Sequence, residues 1–252
     1  MSDEVKGGGH ARKWLAAIIL LCVLIADIWL VSWQKNAPAG SFWALPVMRF
    51  CMKISVIILA IGAWFWTQSL ISGRTLKGCE IGDGLHILTE SWNNYLQAHP
   101  RITNWILIIS SGFIDLFGIF LIGAGIFGRS LRPFIALLMV FVFRQMCQVI
   151  CALPIPPKMI WRNPGFPSLL VTYGVANDFF ISGHTAIAVL GAIEVYRLLP
   201  WWCALAAGIV ALLEACMVIV LRAHYTMDVL AAGAAALCAA VLAMRLCVVF
   251  GL

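Results

Sequence analysis

The stretch WWCALAAGIVALLEACMVIVL, Trp201 to Leu221, carries a single charged side chain, Glu214, in 21 residues. Its apolar residues run all round the helical wheel, and it is far too long for a buried strand of about 4–8 residues. About 20 such residues cross the roughly 30 Å hydrocarbon layer of a bilayer. Six other stretches read the same way: Trp14–Trp33, Arg49–Ile71, Asn104–Phe127, Leu131–Leu153, Phe179–Leu199 and Thr226–Phe250. The fold class expected is therefore an all-α, polytopic transmembrane helix bundle of six to seven spans.

Composition agrees with that reading. The 252 residues are 63% hydrophobic and 11% charged, against about 45–50% and about 25% in soluble domains. The net charge of +6 is scattered, with no run of five basic residues, so no nucleic-acid partner is expected. The nine cysteines fall mostly inside apolar stretches without a CxxC pair. They read as small hydrophobes, neither a disulfide framework nor a metal site. They also point to an endomembrane setting, endoplasmic reticulum or Golgi.

The connectors are short, and the chain reads as a single integral-membrane domain, residues 1–252. The loop Pro154–Asp178 is Pro-rich and irregular. Within Ser72–Arg101, DGLHILTESWNNYLQAHP spaces Leu85, Leu88, Trp92, Tyr95 and Leu96 by helical intervals. An amphipathic helix at the membrane interface follows. His86 and His99 read there as interfacial, and Lys158 and Arg162 as loop cations meeting lipid headgroups. At the N-terminus a basic start, an apolar run and APA before Gly40 loosely fit a signal peptide. The run exceeds the usual 7–15 residues of a cleaved segment, so 14–33 is read as an extra anchor span. The Ala/Gly-rich LAAGAAALCAA of the last span allows close helix packing, a face on which a homo-oligomer could form. The Lys/Arg counts on the two faces differ too little to fix the orientation.

Ionisable residues inside spans cost roughly 2.5–3.5 kcal/mol on insertion scales and face a bundle interior or a wet cavity. Asp27, Asp115, Arg144, Glu194 and Glu214 are of this kind. Two further stretches, NDFFISGHTA (Asn177–Ala186) and LRAHYTMDVL (Leu221–Leu230), place polar groups at span ends. His224 and Asp228 are i and i+4, one turn apart if helical, so the carboxylate can orient the imidazole. In an antiparallel bundle the start of the fifth span, the turn between the sixth and seventh, and the end of the fourth share one side. Arg144, Ser182, Gly183, His184, Arg222, His224 and Asp228 then converge at one membrane face. Two imidazoles can divide nucleophile and proton donor between them. Guanidiniums and a free helix N-terminus favour a phosphate between them.

At these residues the sequence resembles the type 2 phosphatidic acid phosphatase superfamily. It is most similar to the branch of sphingomyelin synthases and plant phosphatidylcholine:diacylglycerol cholinephosphotransferases. FISGHT matches the branch's S-G-H motif, HYTMD its H-Y-T-x-D motif, and FRQMCQVICALPIP its arginine helix ending in L-P-x-P. The resemblance runs from about Asp83 to Leu252, a catalytic core of residues 83–252. It implies that His224 attacks the lipid phosphorus, Asp228 orients it, and His184 protonates the leaving alcohol. It implies no metal and no cofactor. The superfamily's Lys-x6-Arg-Pro motif is absent, which leaves Arg144 and Arg222 as the phosphate-binding candidates beside Ser182 and Gly183. Glu194 and Arg222 resemble the plant enzyme, whereas Asp178 ahead of the motif resembles the sphingomyelin synthases.

The expected function is transfer of phosphocholine, or a similar phospho-alcohol, from a phosphatidylcholine-type donor to diacylglycerol or, next, ceramide. A lipid phosphate phosphatase or phospholipase C-like hydrolase would use the same site with water as acceptor. A non-enzymatic lipid-binding or scrambling protein would have no need to keep His184, His224 and Asp228 together.

Overall fold

In the computed structural model, the described backbone comprises residues 4–36, 38, 40–41, 45–71, 81–171, 173 and 180–250. The expected features at residues 37, 39, 72–80 and 174–179, Asn177 and Asp178 among them, lie outside the described residues. Every regular element among the described residues is helical: α1 (Glu4–Lys35), α2 (Pro46–Ile71), α3 (Gly84–Leu88), α4 (Glu90–Ala98), α5 (Pro100–Phe127), α6 (Arg132–Ile150), α7 (Gly183–Leu198), α8 (Trp201–Val220) and α9 (Thr226–Phe250). Five are long and apolar enough to cross a membrane: Pro46–Thr67, Pro100–Phe127, Arg132–Ile150, Trp201–Val220 and Thr226–Phe250. The chain is an integral membrane protein. Helix α1 runs through the whole of the expected first span, 14–33, whereas α7, expected from 179 to 199, has 16 residues, a rise of about 24 Å. α7 begins at Gly183 because the Ser182 side chain caps it, accepting from the Thr185 N–H at 3.3 Å.

Two compact units divide the chain: 1–71, 121–149 and 238–252 in the first, 72–120 and 150–237 in the second, so the boundaries fall within α5 and α9. In the first unit α1 packs on α2. Trp64 of α2 stacks on Phe141 of α6 with centroids 4.5 Å apart, and Lys53 donates to the Gly128 carbonyl at 3.2 Å. Arg144, in the C-terminal half of α6, is buried in this unit.

The second unit holds both histidine motifs. α7 packs along α8, and Gly191 of α7 meets the Phe117 ring of α5 so closely that a Cβ there would overlap it. The buried Glu214 of α8 accepts from Ser110 Oγ of α5 at 2.6 Å, so this intramembrane carboxyl has a partner on a neighbouring helix. α5 starts at proline, whose missing N–H costs nothing in the first turn. Thr103 Oγ1 then donates to the Leu96 carbonyl at 2.6 Å, closing off the end of α4.

α3 and α4 are amphipathic as expected, with Leu88, Trp92 and Tyr95 exposed. Two of their polar side chains, His86 and Asn93, nevertheless point inward. Asn93 is fully buried and its amide donates to the Val220 carbonyl at 2.8 Å and the Lys158 carbonyl at 3.4 Å.

Candidate active site

The turn between α8 and α9 is built by its backbone. Arg222 adopts φ 55°, in the left-handed region, and the Ala223 N–H returns to the Val218 carbonyl at 2.9 Å, closing α8. Thr226 opens α9, and Asp228 in its first turn accepts the Tyr225 N–H on Oδ2 at 3.0 Å. This is one half of a capping box, with aspartate at the third helical position. The same oxygen lies 3.9 Å from His224 Nδ1. His224 therefore sits in the turn ahead of α9, not on the helix that its spacing to Asp228 suggested. The separation is too long for a hydrogen bond but keeps the carboxylate on the Nδ1 side, leaving Nε2 as the nitrogen turned away from it. Such contacts commonly tighten when substrate binds.

His184 lies in the first turn of α7. Just before it, Ile181 has φ 63°, an outlier for a β-branched residue. Ser182 follows, its oxygen accepting from both the N–H and the hydroxyl of Thr185, at 3.3 and 3.1 Å. The Ser182 N–H donates to the Asp228 carbonyl at 3.2 Å. One backbone hydrogen bond thus joins the start of α7 to the start of α9, and with them the two motifs. Both histidines are buried, each 7% exposed, and the His184 ring meets Trp161 edge-on at 5.0 Å.

The structure brings together Ser182, Gly183, His184, Arg222, His224 and Asp228 within the second unit. Arg144 belongs to the first. Arg222 is committed to backbone: it donates to the carbonyls of His86 (3.0 Å) and Pro157 (3.3 Å). Its Nε is buried without a hydrogen-bond partner.

Sequence reasoning missed His86. It is not interfacial but buried, 4% exposed, its Nε2 3.0 Å from the His224 carbonyl and its ring stacked on Tyr225 at 5.6 Å. His99 is exposed and stacked on Tyr95, as expected of an interfacial residue. Asp83 was missed as well. Its Oδ1 caps α3 through the Leu85 and His86 N–H groups. The carboxylate also accepts the Thr226 N–H and hydroxyl, both at 2.6 Å. One side chain caps two helices.

Between α6 and α7 the irregular segment is strapped to the helices. The Ile160 N–H donates to the Leu221 carbonyl at 2.8 Å, and Tyr225 Oη to the Pro154 carbonyl at 3.3 Å. Lys158 pairs with Glu90 at 2.8 Å, and Arg162 donates to Asn104 at 3.0 Å, so both expected headgroup cations hold the strap down. Asp115 of α5 accepts the N–H groups of Leu169 and Leu170 and the Ser168 hydroxyl, each at 2.9 Å. Among the described residues, no three His, Cys, Asp or Glu side chains cluster so as to hold a metal ion.

Burial works to raise the Asp83 carboxyl, but the Thr226 bonds and those from α3 outweigh it and hold it below the ordinary 3.8. A depressed carboxylate contributes stability above its unfolded value and loses it as pH falls through its folded value. Wild type should therefore melt higher than Asp83→Asn at neutral pH, and the gap should begin to narrow as pH falls below about 4, near the reference aspartate value. Thermal melts of both proteins in detergent from pH 7 to pH 3 measure this; a gap unchanged at pH 3 contradicts it.

A family model described as AtPDCT1/2 matches residues 82–245. Among curated proteins, phosphatidylcholine:diacylglycerol cholinephosphotransferase 1 of Arabidopsis thaliana is 24% identical over 204 residues. That alignment covers 78% of this chain and 65% of the plant protein, so the chain spans just under two thirds of its relative's length. No solved structure matches significantly.

Proposed function

The chain belongs to the AtPDCT1/2 family, and from that membership we propose that it transfers phosphocholine from a phosphatidylcholine-type lipid to diacylglycerol. The observation carrying this reading is the Ser182 N–H to Asp228 carbonyl bond, which holds the His184 helix start against the His224 turn. In the proposed cycle His224 Nε2 attacks the donor phosphorus and the bond to the diacylglycerol oxygen breaks. His184 gives that oxygen its proton. The phosphocholine is then held on His224. An incoming diacylglycerol hydroxyl attacks it, His184 takes the hydroxyl proton, and the P–N bond breaks. Asp228, on the Nδ1 side of the ring, favours the tautomer with Nε2 free and stabilises the cationic phosphohistidine. The first-turn N–H groups of α7 suit the phosphate oxygens. Arg144 is a candidate for the same charge on its sequence position alone.

Ceramide and water are the competing acceptors. Purified protein in liposomes, given phosphatidylcholine and fluorescent diacylglycerol or ceramide, distinguishes the three by product mass. The expected product is labelled phosphatidylcholine. Labelled sphingomyelin would move the assignment to ceramide, and phosphocholine release without labelled phospholipid would move it to hydrolysis.

A further inference from the structure

We propose that His86 is a positioning residue for His224, acting through the backbone of the turn that carries it. The inference rests on the functional reading above and extends it to a side chain from α3, 138 positions away in sequence. A carbonyl oxygen can only accept, so the 3.0 Å contact to the His224 carbonyl requires that His86 carry its proton on Nε2. Arg222 returns the contact by donating to the His86 carbonyl at 3.0 Å, and the His86 ring lies against Tyr225. Residues 222, 224 and 225 are thus each held by one histidine. Asp83 fixes that histidine from its other side, capping α3 and the first residue of α9 together.

The turn is where such a hold matters. His224 precedes α9, so no helical hydrogen-bond ladder fixes its backbone. Arg222 also stands in a left-handed conformation that relaxes unless its surroundings hold it. Freed of His86, the His224 carbonyl would be a buried acceptor without this donor, and the peptide could rotate toward another. Rotation would carry the imidazole off the Asp228 axis. An ångström of misplacement at a reacting nitrogen can cost about 100-fold in rate.

The test compares His86→Phe, which keeps a ring against Tyr225 but deletes the donor, with His86→Gln, which keeps a donor. Two readouts are taken in the same liposomes: kcat and KM for phosphocholine transfer, and the rate at which diethyl pyrocarbonate labels His224, located by mass spectrometry. For His86→Phe the expected result is a kcat reduced about 10- to 100-fold. KM should stay within about twofold, because an interaction expressed only in the transition state lowers kcat alone. His224 should also label several-fold faster. His86→Gln should recover most of both. Wild-type kcat and labelling in His86→Phe would overturn the proposal, as would a His86→Gln protein as impaired as His86→Phe. If wild type transfers no phosphocholine, the functional reading falls, and the His224 labelling rates still decide the positioning role.

Discussion

Replacing His224 with alanine should abolish phosphocholine transfer, lowering kcat by at least about 10⁴-fold, the scale seen when a covalent nucleophile is removed. The protein should stay folded. The turn is held by backbone groups, the Tyr225 N–H to Asp228 and the His224 carbonyl to His86, and these bonds survive loss of the ring. The wild type incubated with labelled donor and no acceptor should yield an acid-labile phosphohistidine peptide containing residue 224, and His224→Ala should yield none. Transfer persisting in His224→Ala would exclude this mechanism.

The second large effect is expected at His184. Removing a general acid costs about 10²–10⁴-fold when the leaving group needs a proton. His184→Ala should lose that much with phosphatidylcholine as donor, because a diacylglycerol alkoxide is a poor leaving group. With p-nitrophenyl phosphocholine, whose phenolate departs unprotonated, the first step should stay within about tenfold of wild type. A burst of nitrophenolate would report it. Equal losses on both donors would mean that His184 holds the phosphate and does not protonate the leaving oxygen.

The parts legible in sequence were those encoded by local pattern. An apolar run of about 20 residues declares a span without reference to any neighbour, and α9 came out at the expected Thr226–Phe250. α7 starts later than its apolar run, since a capping serine, and not the edge of that run, sets its first turn. His184, His224 and Asp228 were legible because S-G-H and H-Y-T-x-D are contiguous motifs. His86 was not, because its partner is a main-chain carbonyl, which leaves no mark on residue type. The available signal was the polar stripe itself: His86, Asn93 and Gln97 recur at helical spacing along an interfacial segment. On an interfacial helix such a stripe meets water or protein, and here His86 and Asn93 meet protein. Arg222 was read as a phosphate-binding candidate from its place two residues before His224; its left-handed backbone and the two carbonyls its guanidinium meets were invisible in sequence.

The inward-facing amide of Asn93 bears on how the protein is made. One acceptor lies 65 positions downstream at Lys158, the other 127 positions downstream at Val220. When α4 leaves the ribosome neither exists, and the nascent helix can only rest at the lipid surface with its polar stripe hydrated. Its bond to the Val220 carbonyl can form only after α8 has been synthesised. The two histidine motifs, also in the last third of the chain, come together over the same interval. Biogenesis thus leaves the site unassembled until the turn carrying His224 has been made. Chains stalled before Val220 lack the acceptor of the shorter Asn93 bond.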